Sequence, residues 1–549
     1  MNIRPFLKQH AAALFPLLLS LALICSRYAT VALTMDGVTY LQISRNILHG
    51  KGLGWQALWA SPFYSILVAA VSFVGGIDDM LQAATVVSVL MGFLLVGAVY
   101  FLAYQIFDRK VALISATLAA ISPHLLRVTF SDETEITYTF FLTLSLALLT
   151  LAFKRDSRVF PALAGTSFAL AYLSRSEGFL VMALILGGGA LFQGRNLLRS
   201  GFFKKAVICS MLFFLVASPY LFFLKENYGK WTISPKASYV MLWMKCFTYH
   251  DNDRGEEGNE ELWGLSDSGK LNWQEPRGVK DLIDFLGSHP EKSVAVYLND
   301  LSHEIPGRIP NGSGMADFPQ VFPVYLALLG LFAAFLPWGP LGREKKAVLI
   351  APFALLFILP VFTDGWWKYL VPYLPLVIIL AAKGFSGAVA TLAQKIGTAR
   401  AGTLEHSLLF LGVLSVGWLF TAPLHPKPQP RSQSAAAPSS APSKKDLERS
   451  EAKKAAEYGL RLLGPGNNYM ISWSPLVYYL NGSWTARPVA ELPRQLRYAR
   501  QNGADYYVLD AVIEDVSLLD LPGMQMVGLY ISQITSLKVG FYRIPPAYY

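Results

Sequence analysis

The chain has 549 residues, of which 53% are hydrophobic and only 15% charged, with a mean hydropathy of +0.38. A soluble domain carries roughly 25% charged residues, so an ordinary soluble protein is excluded and a polytopic membrane protein is indicated. The net charge of +10, from 47 basic and 37 acidic residues, does not point to nucleic acid, because the basic residues fall in short loops between apolar runs, where they orient helices.

Cys25, Cys209 and Cys246 show no CxxC spacing, so neither a disulfide framework nor a cysteine metal site is implied. Arg4 and Lys8 precede the first apolar run, 11–33. No small-residue cleavage site follows cleanly, and the run reads as a retained helix. With the N-terminus cytoplasmic, this span delivers the polar stretch MDGVTYLQISRNILHGKGLGW and its Asp36 to the outer side.

The next run, 62–74, is short for a crossing and reads as a juxtamembrane helix on the outer face. Spans 81–104, 111–130 and 136–153 follow. The loops then alternate as the positive-inside rule asks, with Arg109, Lys110, Lys154, Arg155 and Arg158 inside and Asp132, Glu133 and Glu135 outside. Counting 62–74 as a span would move every one of those basic loops outward. A short pair, 160–173 and 178–192, leads to Arg195, Arg199, Lys204 and Lys205 inside, and 206–224 goes out again.

Residues 225–320 form an external polar region containing Trp231, Trp243, Trp263 and Trp273, which could stack on sugars or simply pack. Spans 321–338, 347–362, 369–382 and 408–422 complete a count of about eleven, with the C-terminus outside. The expected organisation is a membrane domain over 1–424, with extracytoplasmic loops 34–80 and 225–320. A flexible Pro/Ala/Ser-rich linker covers 425–445, and 446–549 forms a small α/β domain. Its strands are expected at NNYMISW, DYYVLD and KVGFYRI, with a helix at ELPRQLRYARQNGA.

Ionisable residues at the ends of spans are functional candidates, because placing them near lipid is costly. Asp36, Asp132, Glu133, Glu135, Arg175, Glu177, Asp364 and Lys368 all emerge on one face in this topology. Each also has a plain structural reading. Asp36 suits an N-cap for a helix that Gly50 stops. Asp132 and Glu135 have capping-box spacing. Arg175 and Glu177 suit a salt bridge in a helical hairpin, and Lys368 suits a snorkelling anchor. His303 beside Glu304 is a weak metal signal.

These features, in this order, resemble the bacterial polyprenyl-phosphate-dependent glycosyltransferases of the GT-C fold, relatives of the dolichyl-phosphate-mannose protein mannosyltransferases (family 39-like). The matching pieces are MDGVTYLQISRNILHGKGLGW, SPFYSILVAAVSFVGG, TFSDETEITYTFFLTLSLALL, AYLSRSEGFLVMALIL and WWKYLVPYLPLVIILAAKGF. Together they cover roughly residues 3–384. The chain departs from the commonest form in having Gly37 where many relatives have a second acidic residue.

The resemblance implies sugar transfer, with inversion, from a polyprenyl-phosphate-linked donor to a lipid, glycan or protein acceptor at the outer face of the cytoplasmic membrane. It makes Asp36 the general base. The chemistry of a phosphate leaving group and an acceptor hydroxyl then places Tyr40, Asp132, Glu133, Arg175, Glu177 and Lys368 on the substrate side, with Lys368 and Arg175 as a phosphate clamp and Asp132 or Glu133 orienting the acceptor or the sugar hydroxyls. The resemblance fixes no cofactor, although a divalent metal ion could assist. A transporter or flippase of lipid-linked glycans is the main alternative, and a non-catalytic envelope assembly protein the second.

Overall fold

The computed structural model describes residues 11–26, 33–199, 201–234, 264–266, 270–272, 348–349, 351–354, 371–396, 444–471, 475–480, 483–486, 492–512, 524–535 and 537–545, with isolated positions at 521 and between 284 and 298. Its first part is a bundle of helices: α1 (Leu14–Ser26), α2 (Met35–Leu48), α3 (Phe63–Gly75), α4 (Met80–Ile106), α5 (Arg109–Ile121), α6 (Pro123–Thr129), α7 (Glu135–Lys154), α8 (Val159–Ser174), α9 (Glu177–Gln193), α10 (Gly201–Tyr228) and α11 (Leu374–Ile396). Among the described residues α4, α7 and α10 are each long and apolar enough to cross a membrane, and five shorter apolar helices accompany them. The chain is a multi-pass membrane protein.

One expected span is bent. The run 111–130 breaks into α5 and α6 at an angle of 58°, and the two together are long and apolar enough to cross a membrane. Pro123 has no N–H to continue the ladder and sits at the first position of α6, where Ser122 caps the new helix through its side chain. The expected spans 321–338, 408–422 and most of 347–362 lie outside the described residues.

The bundle is layered by its small residues. α7 packs between α4 and α8, and α8 packs in turn against α9 and α10. A Cβ on Gly165 of α8 would stand 2.1 Å from the carbonyl oxygen of Cys209 in α10. The two backbones therefore touch, as small residues permit in helix pairs within lipid.

α3 is 13 residues long, about 20 Å at 1.5 Å per residue. That is shorter than a bilayer core of about 30 Å. It buries Tyr64, Ser65, Val68, Ala69 and Ser72 against α2 and α4, while Phe73 and Val74 stay exposed.

Residues beyond 443 contribute α12 (Lys444–Leu463), α13 (Pro475–Tyr479), α14 (Leu492–Gln501) and five strands: β1 (Asn468–Ile471), β2 (Ser483–Ala486), β3 (Tyr506–Val512), β4 (Gln525–Ile531) and β5 (Leu537–Arg543). The sheet order is β2-β1-β3-β5-β4, with β2, β1 and β3 parallel and β5 antiparallel to both its neighbours. Met470, Ile471, Val508, Val539 and Phe541 bury its core.

This unit meets the bundle through Tyr478 of α13. Its hydroxyl donates to Asp79 Oδ1 at 2.5 Å and accepts from the Leu81 N–H at 3.3 Å. Its carbonyl accepts from both terminal nitrogens of Arg45 in α2, at 3.3 and 3.4 Å, and the guanidinium lies 5.3 Å from the Tyr478 ring centre. Burial lowers the Arg45 pKa, while Asp79 and Tyr478 act to raise it.

Candidate functional site

The site is built around α2. Thr34, in extended conformation, caps the helix and accepts from the Gly37 N–H at 2.9 Å. That corrects the expectation of Asp36 as N-cap: Asp36 lies inside the first turn, where the helix dipole favours a negative charge. The helix ends at His49, and Gly50 takes a left-handed φ of 70°.

Although polar in sequence, α2 is buried on nearly all sides, with Thr39, Gln42 and Ser44 enclosed as well as Val38, Leu41 and Ile43. Ser44 and Ser65 both donate to the Tyr40 carbonyl at 2.8 Å, tying α2 to itself and to α3. Asp36, in the first turn, remains half-buried.

The loop 130–134 closes over this helix start. Asp132 is fully buried and its Oδ2 accepts from the Thr34 N–H at 2.9 Å. The capping box expected between Asp132 and Glu135 is therefore not formed, since α7 starts from Thr134 without a side-chain cap. Burial raises the Asp132 carboxyl to about 6; the hydrogen bonds from Thr34 oppose this, and the nearby Asp36 charge adds to it. Its second oxygen, Oδ1, is buried with no hydrogen-bond partner among the described residues. Glu133 is buried beside it.

Arg175 stands between two acids. It donates to Glu135 Oε1 at 2.6 Å and to Glu177 Oε1 at 3.0 Å, with only 7% of its side chain exposed. The expected Arg175–Glu177 bridge is present, and Glu135 is a second partner from the start of α7. Ser176 receives a hydrogen bond from Ser234, and Tyr172 donates to the Ile233 carbonyl, so the α8–α9 turn is tied to the chain just after α10.

Tyr40 lies where these groups meet. Its hydroxyl is 3.5 Å from Thr134 Oγ1. Burial raises its phenol well above the usual range, and the charges of Glu135 and Asp36 raise it further, against a lowering by Arg175. Asp36, Glu135 and Arg175 thus act on one phenol. On the α3 side, the Tyr64 ring meets the Tyr40 ring edge-on at 5.8 Å, and its hydroxyl bonds Ser88, which donates to the Ser131 carbonyl.

Lys368 and Asp364 lie outside the described residues, as do Trp243, Trp263, Trp273, His303 and Glu304. The turn Val371–Tyr373, which directly follows the Lys368 segment, packs against α7. Trp231 is exposed and stacks beneath the Lys225 ammonium at 4.8 Å. Among the described residues no three His, Cys, Asp or Glu side chains are placed to hold a metal ion.

Thr34 and Thr134 were not singled out from the sequence. A Thr two residues before an acid at the start of an apolar-polar helix is an N-cap signal that could have found the first. Nothing local marks Thr134.

A family model described as dolichyl-phosphate-mannose-protein mannosyltransferase matches residues 60–223. Comparison with curated protein sequences gives no match. Among solved structures, the chain is similar to the archaeal oligosaccharyltransferase AglB from Archaeoglobus fulgidus, in complex with an inhibitory peptide and a dolichol-phosphate. The TM-score is 0.55 and the identity 14%, over 100% of this chain and 75% of that one. It is also similar to ArnT from Cupriavidus metallidurans bound to undecaprenyl phosphate, with a TM-score of 0.52 and 13% identity over 98% of each chain. At these identities the likeness is one of fold. The family model and the shared fold together bear out the resemblance to the GT-C glycosyltransferases read from the sequence.

Proposed function

We propose that this chain is a membrane glycosyltransferase that moves a sugar from a polyprenyl-phosphate carrier to an acceptor at the outer face of the cytoplasmic membrane, with Asp36 as general base. The observation that carries this reading is the position of Asp36: a half-buried carboxylate in the first turn of an otherwise enclosed helix, beside Tyr40, on which Asp36, Glu135 and Arg175 all act.

The chemistry follows from the leaving group. A glycosyl phosphate departs as an acidic anion and needs no proton donor. What the reaction needs is a base for the acceptor and cations for the phosphate. The acceptor oxygen bonds to the anomeric carbon as the carbon–oxygen bond to phosphate breaks, and the acceptor proton passes to the Asp36 carboxylate. Attack opposite the leaving group inverts the anomeric centre.

Lys368 supplies the phosphate cation in this reading. Arg175 is shared between Glu135 and Glu177, so its charge is already balanced, and its part is to hold the site's walls and orient the two acids. Glu133 and Tyr40 line the sugar or acceptor side. The test is mass analysis of envelope glycans and glycoproteins from cells with and without the chain. A defined sugar lost on deletion and restored by the wild-type chain supports the reading, and an unchanged glycan profile contradicts it.

A further inference from the structure

We propose that Asp132 closes the capping box of α2 from a different element, and that it is thereby the positioning residue for Asp36. In a capping box the N-cap hydroxyl accepts from the N–H three residues on, and the side chain at that third position reaches back to the N-cap N–H. The first half lies within α2, where Thr34 Oγ1 accepts from the Gly37 N–H at 2.9 Å. The second half cannot come from residue 37, which has no side chain.

Asp132 supplies it from 98 residues away, its Oδ2 accepting from the Thr34 N–H at 2.9 Å. The space around Gly37 agrees. A Cβ there would stand 1.7 Å from Asp132 Oδ2 and 2.2 Å from its Cγ, so the Asp132 carboxylate occupies the volume that a residue-37 side chain would fill. Residue 37 and residue 132 are two alternative sources of one carboxylate, and this chain uses the second.

Asp36 lies between Thr34 and Gly37, inside the turn that the two bonds fix. Asp132 consequently acts through α2 rather than on substrate. The proposal rests on the glycosyl-transfer reading only where it concerns product, and the cap itself can be measured without it.

The experiment compares wild type, Asp132→Ala, Gly37→Glu, the double variant Gly37→Glu/Asp132→Ala, and Asp132→Asn. Two readouts are taken: hydrogen exchange over residues 34–38 of the purified full chain, and envelope glycan in cells complemented with each variant. Loss of the cap in Asp132→Ala should speed exchange by about fivefold. Gly37→Glu should do the same, because its side chain and the Asp132 carboxylate claim one volume, and while both are present neither carboxylate can settle on the Thr34 N–H. Both single variants should lose product.

The double variant should regain protection and product, because the glutamate introduced into α2 now closes the box within the helix. Asp132→Asn, whose amide oxygen still accepts, should stay protected and guards against a merely unfolded alanine variant. A double variant no better protected than the worse single variant would overturn the capping role. Restored protection without restored product would overturn the positioning role and give Asp132 a direct part in the chemistry. If wild type itself yields no product, the exchange data still decide the cap, and the fault lies with the glycosyl-transfer reading.

Discussion

Arg175 and Glu135, 40 residues apart in sequence, meet at 2.6 Å in a site where both side chains are more than nine-tenths buried. Glu177 completes the group at 3.0 Å, so one guanidinium compensates two carboxylates. Removing it strands the buried Glu135 and the partly buried Glu177, whereas removing all three charges together strands none. Arg175→Met should therefore destabilise the chain by roughly 3–5 kcal/mol, while the triple variant Glu135→Gln/Arg175→Met/Glu177→Gln should be closer to wild type. Thermal melting in detergent checks the order, and a triple variant less stable than Arg175→Met would contradict it.

Asp132 gives a pH signature. Its folded carboxyl sits at about 6 against an ordinary 3.8, so the folded chain holds that proton more tightly than the unfolded one. The associated stability is fully present below the ordinary value and is lost as pH rises through about 6. Its size is about 3 kcal/mol at 1.36 kcal/mol per unit. Melting followed from pH 4 to 7 should show wild type falling relative to Asp132→Asn. Parallel curves would mean that Asp132 does not titrate in this window.

Tyr478 joins the sheet unit to the end of α2 opposite Asp36. Tyr478→Phe removes the bonds to Asp79 and Leu81 but keeps the ring under Arg45, so local protection should fall by about 1–2 kcal/mol. Hydrogen exchange at residues 79–83 should rise more than at 45–51. Tyr478→Ala should expose both segments.

Gly165 marks the tightest helix contact described above. Gly165→Val must push α8 from α10, because the neighbour is the Cys209 backbone, at a cost of about 1–3 kcal/mol. Gly187→Ala, with nothing within 4 Å of its Cβ, should be neutral or mildly stabilising. Comparing the melting temperatures and monodisperse yields of the two variants tests the contact.

The long apolar runs made α4, α7 and α10 legible, since length and hydropathy alone decide a spanning helix. The alternating runs and turn residues likewise marked β1, β3, β5 and α14. The break at Ser122–Pro123 was also present in the sequence, but the continuous hydropathy of 111–130 masked it. At the site, local patterns suggested local partners. The Arg175–Glu177 pair is such a case, and it formed.

Asp132 and Glu135 instead found partners far along the chain, Thr34 and Arg175. No spacing rule could show that, because it is the tertiary packing of the helices between them that brings the loop 130–134 to the start of α2. Gly37 looked like a missing acid in sequence. In space its vacant Cβ is what admits the Asp132 carboxylate.

The central claim is that Asp36 takes the acceptor proton, and Asp36→Asn tests it most directly. Asparagine keeps the size and polarity of the side chain in the first turn of α2 but cannot accept the proton. Sugar transfer should fall by about 10²–10⁴-fold with thermal stability and the Thr34 N–H protection unchanged. Transfer at the wild-type rate in a folded Asp36→Asn chain would contradict the account.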